Sequence, residues 1–177
     1  VSCSNYGWVE FINHGSCKDE ASAKEFYFRL GFLTTLVYSL NGVDIFFENL
    51  VASGDQPVIV DLETMFHTSL EELKPAGPRV KLQNWLFRSI AGIGILPQPG
   101  VAASDNEVFD VSVMGAKINA RAPYKVTGID NFGNANMRIT EIDGWIPESN
   151  SSSENFLSRD EKGNAVLDGI RQGFNTI

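Results

Sequence analysis

Cysteine and histidine are scarce in this 177-residue chain, which holds only Cys3, Cys17, His14 and His67. Two thiols are too few for a disulfide framework, and they do not fit a zinc-binding spacing. A reduced thiol pair in a cytoplasmic protein is the reading that follows. Long apolar runs are absent as well. No window approaches the roughly 18 uninterrupted apolar residues of a membrane-spanning helix. Val1-Ser2-Cys3-Ser4-Asn5 has neither the charged start nor the apolar stretch of a secretion signal. Positive charge is in deficit, with 14 Lys+Arg against 22 Asp+Glu and a formal net charge of −8. That balance argues against a general nucleic-acid binder. Gly92-Ile93-Gly94 has Pro97 where a third glycine would stand, so it is not a dinucleotide fingerprint.

What is present is the composition of a globular domain, 43% hydrophobic and 20% charged. One domain with a real core is expected at this length. Charge is uneven along the chain. Residues 1–73 and 139–177 are acidic, whereas 74–138 carry eight basic side chains against four acidic ones. A basic middle can attract a phosphorylated or acidic ligand, with Arg121 and Lys125 as the residues to meet it. Scattered solvated charges on separate loops give the same counts.

Between Asp19 and Leu40, the residues Phe26, Leu30, Leu33, Val37 and Leu40 recur at alternating spacings of four and three. That spacing lines one face of a helix. Tyr27, Phe28, Phe32, Leu36 and Tyr38 cover much of the remaining circumference, so the helix is expected to be buried on most sides. Asp19 or Ser22 can cap its start, and Asn41-Gly42 supplies a left-handed stop. After that stop the period changes. Leu50-Val51-Ala52 and Pro57-Val58-Ile59-Val60 flank Ser53-Gly54-Asp55-Gln56, the signature of a hairpin. Trp8-Val9-Glu10-Phe11-Ile12 reads as an earlier strand. Further helices are expected over 80–93, carrying Leu82, Trp85, Leu86 and Ile90, and over 159–174, carrying Val166, Ile170 and Phe174. A turn-rich break at 94–100 and an exposed loop at 146–155 complete the outline.

The hairpin carries the candidate chemistry, because polar residues gather at its open end. With the turn centred on Gly54-Asp55, Asn49 is expected almost opposite Asp61, at the Cβ separation of about 4.5–5.5 Å typical of cross-strand pairs. An amide oxygen and a carboxylate there are hard ligands suited to Mg²⁺, which takes one or two protein groups plus phosphate oxygens. Asp44, five residues before Asn49, can orient a hydroxyl nucleophile. This order is the phosphoryl-transfer layout of protein kinases. On spacing alone a plainer account stays open, in which Asp61 caps a turn at Leu62-Glu63-Thr64 and Asn49 closes a loop.

At these residues a resemblance becomes specific. Trp8–Ile12, the aromatic-rich helix, the stretch from Asn41 to Gly54, and Pro57 to Phe66 together resemble the dehydratase domain of class II lanthionine synthetases, the LanM family. The pattern is densest in Glu48-Asn49-Leu50, Ala52, Gly54, Pro57-Val58, Val60-Asp61-Leu62-Glu63-Thr64 and Phe66. Weaker similarity continues through Gly94-Ile95-Leu96-Pro97, Asp110-Val111-Ser112 and Gly169 to Phe174. The resemblance implies an α+β fold in which residues 1–177 are part of a lipid- or protein-kinase-like domain, comprising the hinge and the C-lobe with its catalytic hairpin. It implies that ATP and Mg²⁺ serve to phosphorylate Ser and Thr of a precursor peptide, built of a leader and a Ser/Thr-rich core. Elimination of the phosphate then leaves dehydroalanine or dehydrobutyrine. Asp44 matches the catalytic aspartate and Asn49 and Asp61 the metal ligands, and Glu63, which completes the Asp-Leu-Glu pattern, is implied as a metal residue with them. Glu10 and Phe11 would form the hinge against the adenine. The phosphate-covering lobe and the zinc cyclase of the family are expected outside these residues. One position departs from the pattern: Phe46 stands where the family carries a His two residues after the aspartate. The alternative is therefore a pseudokinase-like or incompetent fragment that binds nucleotide or leader peptide without chemistry.

Overall fold

The computed structural model describes residues 5–67, 77–78, 81, 85–86, 88–101, 108–116, 121–145 and 156–177. Its frame is a pair of helices, α1 (Glu20–Ser39) and α2 (Arg159–Thr176). Each opens with a reciprocal capping box. Asp19 accepts the Ser22 backbone N–H (2.8 Å) while the Ser22 hydroxyl accepts that of Asp19 (3.0 Å). Ser158 and Glu161 repeat the arrangement on α2, so orphan donors at both starts are satisfied. Helix α1 stops where expected, with Asn41 left-handed at φ 51°. Phe26, Leu30 and Val37 are buried, as is Tyr27, while Leu36 and Tyr38 stay exposed.

Small residues set the distance between the helices. A Cβ on Gly31 would lie 2.0 Å from the Val166 carbonyl oxygen, and one on Gly169 only 1.9 Å from that of Phe28. Thr34 and Thr35 are fully buried beside this crossing. The Thr34 hydroxyl donates to the Leu30 carbonyl (2.7 Å), and that of Thr35 reaches the Ile170 carbonyl on α2 (3.3 Å). Buried hydroxyls are thus partnered, as they must be to avoid a desolvation cost.

Among the described residues, three two-stranded antiparallel sheets accompany the helices. Strands β1 (Leu50–Ser53) and β2 (Gln56–Ile59) form the expected hairpin. Strands β3 (Gly100–Val101) and β4 (Val108–Phe109) form a short pair, and β5 (Arg121–Asp130) and β6 (Arg138–Trp145) a long ribbon. The core joins both helices to β1, the segment at Ile45 and the residues Ile93 and Ile95. No helix among the described residues is long and apolar enough to cross a membrane.

Several expectations need correction. Trp8–Ile12 is not a strand: it has no regular structure and Phe11 is 82% exposed. A strand requires a partner, and among the described residues pairing with the hairpin is seen at Gly15, whose N–H donates to the Ala52 carbonyl (2.9 Å). The single helix expected over 80–93 is interrupted. Lys81, Trp85 and Leu86 are helical, but Ser89 is extended and caps a separate 3₁₀ turn, Ile90–Ile93. Trp85 and Leu86 are exposed rather than core, and Leu82 lies outside the described residues. The expected loop at 146–155 also lies outside them. Of the basic middle, Arg138 pairs with Asp130 (2.9 Å) and Lys125 with Glu141 (3.9 Å) along the β5–β6 ribbon, while Lys74, Arg79 and Lys117 lie outside the described residues.

The helix crossing yields a direct test. Gly169→Ala forces two backbones apart and is expected to destabilise the protein by about 1–3 kcal/mol, the usual cost of overpacking. Gly163, on the same helix with open space around it, should respond oppositely, with Gly163→Ala stabilising by about 0.5–1 kcal/mol. Denaturant midpoints of the two variants check both signs.

Candidate functional site

The candidate site is the loop that α1 releases into the hairpin. Gly42 follows the helix stop so tightly that a Cβ there would press on Met65 Sδ at 2.6 Å. Asp44 is then left-handed at φ 64° and exposed. Such a conformation is uncommon outside glycine, although Asp tolerates it better than most residues. What holds it is visible in the next five residues. The Ile45 N–H donates to the Ile93 carbonyl (2.8 Å) and that of Phe47 to the Val111 carbonyl (3.2 Å). Phe46, between them, pairs with Ser112 in an isolated bridge. The 3₁₀ turn Phe47–Asn49 then brings the Asn49 side chain back, and Nδ2 donates to the Asp44 carbonyl at 2.7 Å. Because a carbonyl only accepts, the amide nitrogen must face it, and Oδ1 is the end turned away.

The hairpin that follows is clamped to α1 at its tip. Gly54 is the one turn residue with positive φ, at 63°, which matches a type II′ connection. Arg29 on α1 bonds the Asp55 carboxylate (2.7 Å), its carbonyl (3.1 Å) and Glu25 (2.9 Å). Gln56 Nε2 donates to the other Asp55 oxygen (3.1 Å), and the buried Cys17 thiol donates to the Gly54 carbonyl (3.4 Å). Partial desolvation of Asp55 raises its pKa, but the bonds from Gln56 and Arg29 outweigh that, leaving it below the usual carboxylate range.

At the open end the ladder pairs Leu50 with Ile59, and the Val60 N–H bonds the Asn49 carbonyl (3.0 Å). Asn49 therefore stands opposite Val60, one residue short of the expected position opposite Asp61. Asp61 lies just past the ladder, half-buried, with Oδ1 accepting the Glu63 N–H (3.1 Å). Both residues thus fill the plainer roles left open by the sequence, Asp61 turning the chain and Asn49 closing the loop. Glu63 is exposed. Beyond it the chain folds back onto the end of α1, where the Phe66 N–H donates to Leu40 (2.9 Å), that of His67 to Asn41 (3.1 Å), and the Thr64 hydroxyl to Val43.

Asp44, Asn49, Asp61 and Glu63 are therefore carried on one closed excursion between residues 41 and 67. Glu10 and Phe11 sit in the irregular N-terminal segment, both exposed. Among the described residues no three His, Cys, Asp or Glu side chains converge as a metal cage. Asn49 and Asp61 each keep one side-chain oxygen clear of their backbone partners. The Asn49 oxygen and the second Asp61 oxygen are hard, and Mg²⁺ is commonly held by one or two such groups with phosphate oxygens and water supplying the rest. The backing contacts from Ile93, Val111 and Ser112 were not legible beforehand. Their only sequence signal was the weak similarity around Gly94 and Asp110.

The family described as "Domain of unknown function (DUF4135)" matches residues 1–177. The chain is also 32% identical over 103 residues to the Lacticin 481/lactococcin biosynthesis protein LcnDR2 of Lactococcus lactis subsp. lactis. That alignment covers 57% of this chain but 11% of the relative, so the chain spans a small part of that protein. No solved structure matches.

The clamp on the hairpin tip has a pH signature. Asp19, Asp55 and Glu161 are all held below the usual carboxylate range. Their stabilising effect is present above the unfolded-state pKa, near 4, and is lost as pH falls through the lower folded values. Arg29→Met removes a partner of Asp55 while keeping much of the apolar stem. The variant should melt below the native protein at pH about 7, and the gap should close as pH is lowered past about 4. A gap that stays constant across that range would show that the ion pair does not hold the hairpin.

Proposed function

Because this chain belongs to the family described as Domain of unknown function (DUF4135), and is related to a protein of lacticin biosynthesis, we propose that it is part of a lanthipeptide-synthetase dehydratase. The proposed fold is the hinge and C-lobe region of a kinase-like domain. The substrate is a precursor peptide with a leader and a Ser/Thr-rich core, and the phosphoryl donor is ATP. The observation that carries the reading is the Asp44–Asn49 loop. An exposed carboxylate stands on a left-handed residue whose carbonyl is held by the Asn49 amide (2.7 Å), beside a hairpin that ends at Asp61.

In this reading the Asp44 carboxylate accepts a hydrogen bond from the peptide hydroxyl, orients its oxygen towards the γ-phosphorus and takes its proton. Asn49 Oδ1 and the second Asp61 oxygen are the groups that would hold Mg²⁺, and the ion would neutralise phosphate charge as it is transferred. Glu63, exposed two residues further on, adds negative charge near the same end. Once the hydroxyl is phosphorylated, loss of the phosphate together with the Cα proton leaves the dehydro residue. Glu10 and Phe11 stand in an irregular, exposed segment, and the phosphotransfer roles above do not depend on them.

One observation favours a second reading, in which the protein binds nucleotide or leader peptide without chemistry. The Phe46 ring is half-buried and packs over Gly94, where an added Cβ would lie 3.1 Å from Cδ1. An apolar ring in that place neither donates to a phosphate nor moves a proton. The two readings separate on the mass of the precursor peptide after incubation of the full-length protein with ATP and Mg²⁺. The dehydratase removes one water per modified residue, and unchanged peptide mass defeats it. Asp61→Asn is expected to cut phosphorylation by about 10²–10³-fold, the scale of losing one preorganised electrostatic group. Phe46→His should leave the rate near native or raise it. A gain of about 10²–10⁴-fold would show that the native protein lacks a general acid–base contact. The 177-residue chain alone should show no appreciable transfer, because positioning and charge stabilisation supply most of the rate and the phosphate-covering lobe is expected elsewhere.

A further inference from the structure

Asp110 is half-buried and takes no part in the chemistry above, yet both of its carboxylate oxygens are engaged. Oδ2 accepts the Gln98 backbone N–H (2.9 Å) and Oδ1 that of Ser112 (2.8 Å). No Lys, Arg or His forms an ion pair with it among the described residues. Gly115 leaves the space the carboxylate fills, since a Cβ there would lie 2.0 Å from Oδ2. Hydrogen bonds from backbone N–H groups to an ionised carboxylate are about twice as strong as neutral ones.

The two segments joined by this carboxylate are the ones that grip the Asp44–Asn49 loop. On the Gln98 side, Gln98 Nε2 donates to the Ala91 carbonyl (2.6 Å), and the same turn presents the Ile93 carbonyl to the Ile45 N–H (2.8 Å). On the Ser112 side, the Val111 carbonyl accepts the Phe47 N–H (3.2 Å), and the fully buried Ser112 bridges to Phe46. The Ser112 hydroxyl accepts the Gly115 N–H (3.0 Å), closing the turn around the carboxylate. Two further bonds run between the sides, from Val113 to Gly94 (3.0 Å) and from Met114 to Ile95 (3.1 Å).

We infer that Asp110 is a positioning residue for the candidate site. Its carboxylate fixes the two segments in register, and through the Ile45 and Phe47 N–H groups it sets where the Asp44 carboxylate and the Asn49 amide stand. What those two groups then do rests on the proposed phosphotransfer; the positioning itself does not, and amide exchange reads it without activity.

The test uses the full-length protein. In Asp110→Asn the amide has one accepting oxygen, so either orientation turns its NH₂ against one of the two backbone N–H groups. Amide exchange across residues 44–49 is expected to accelerate by about ten- to a hundredfold, the loss of one bond to a charged acceptor. The kcat for peptide phosphorylation should fall by about tenfold or more, within the cost of a small misplacement, while KM for ATP holds within a factor of about two. Gly115→Ala, which displaces the carboxylate without touching it chemically, should give the same pattern. In an Asp110→Ala background it should add nothing, because the clash is gone. Unchanged exchange across 44–49 in either single variant overturns the inference, as does a fall in melting temperature with kcat and local exchange intact. If the native protein phosphorylates nothing while exchange responds as expected, the proposed function fails and the positioning role stands.

Discussion

The contact on which the rest depends is the one between the backbones of α1 and α2. Gly31 and Gly169 let each helix approach a carbonyl of the other at distances that no side chain could occupy. Close packing of this kind has few alternatives, because interiors are filled to near-crystalline density and a methyl group is enough to disturb them. Fixing α1 fixes both ends of what it carries. Arg29 on its flank grips the hairpin tip through Asp55, and its last turn releases the loop that contains Asp44. The candidate site therefore hangs between two anchors on one helix.

Between those anchors the chain accepts local strain. A residue at φ 64° such as Asp44 costs about 1–3 kcal/mol when the conformation is a sparsely populated one, and it persists only where the surroundings over-determine it. They do so here through bonds on both sides of the loop, from Ile93 and from Val111, and through the Asn49 amide within it. A side chain held this way on a short, well-bonded loop is pre-organised, which is what positional catalysis requires. The same bonds account for Phe46. Its backbone pairs with Ser112 and its ring covers Gly94, so the residue that departs from the LanM-like pattern is part of the wall behind the site.

What the sequence disclosed and what it hid divide along contact range. Helix α1 was legible because apolar spacing, the Asp19–Ser22 cap and the Asn41 stop agree within one segment. The hairpin was legible because Gly54-Asp55 fixes its turn and short apolar runs flank it. Trp8–Ile12 misled because its residues favour strands while no described neighbour offers a ladder. The helix expected over 80–93 failed at Ser89, whose hydroxyl starts a new turn instead of continuing the old one. Register was missed by one residue at Asn49, enough to change which side chains meet. The wall of the site left only the weak similarity around Gly94 and Asp110 as a signal, with nothing to say what it touches. Ile45–Ile93 and Phe47–Val111 join residues far apart in the chain, and no local pattern announces such a pair.

Whether this loop and hairpin hold a metal–nucleotide complex for phosphoryl transfer, as proposed, is tested most directly by one structure. The full-length protein would be crystallised with Mg²⁺ and a non-hydrolysable ATP analogue. The ion is expected at about 2.0–2.1 Å from Asn49 Oδ1 and from one Asp61 oxygen, with the Asp44 carboxylate facing the terminal phosphate. An ion and phosphates held by other residues, with Asn49 and Asp61 keeping only their backbone partners, would contradict the proposal.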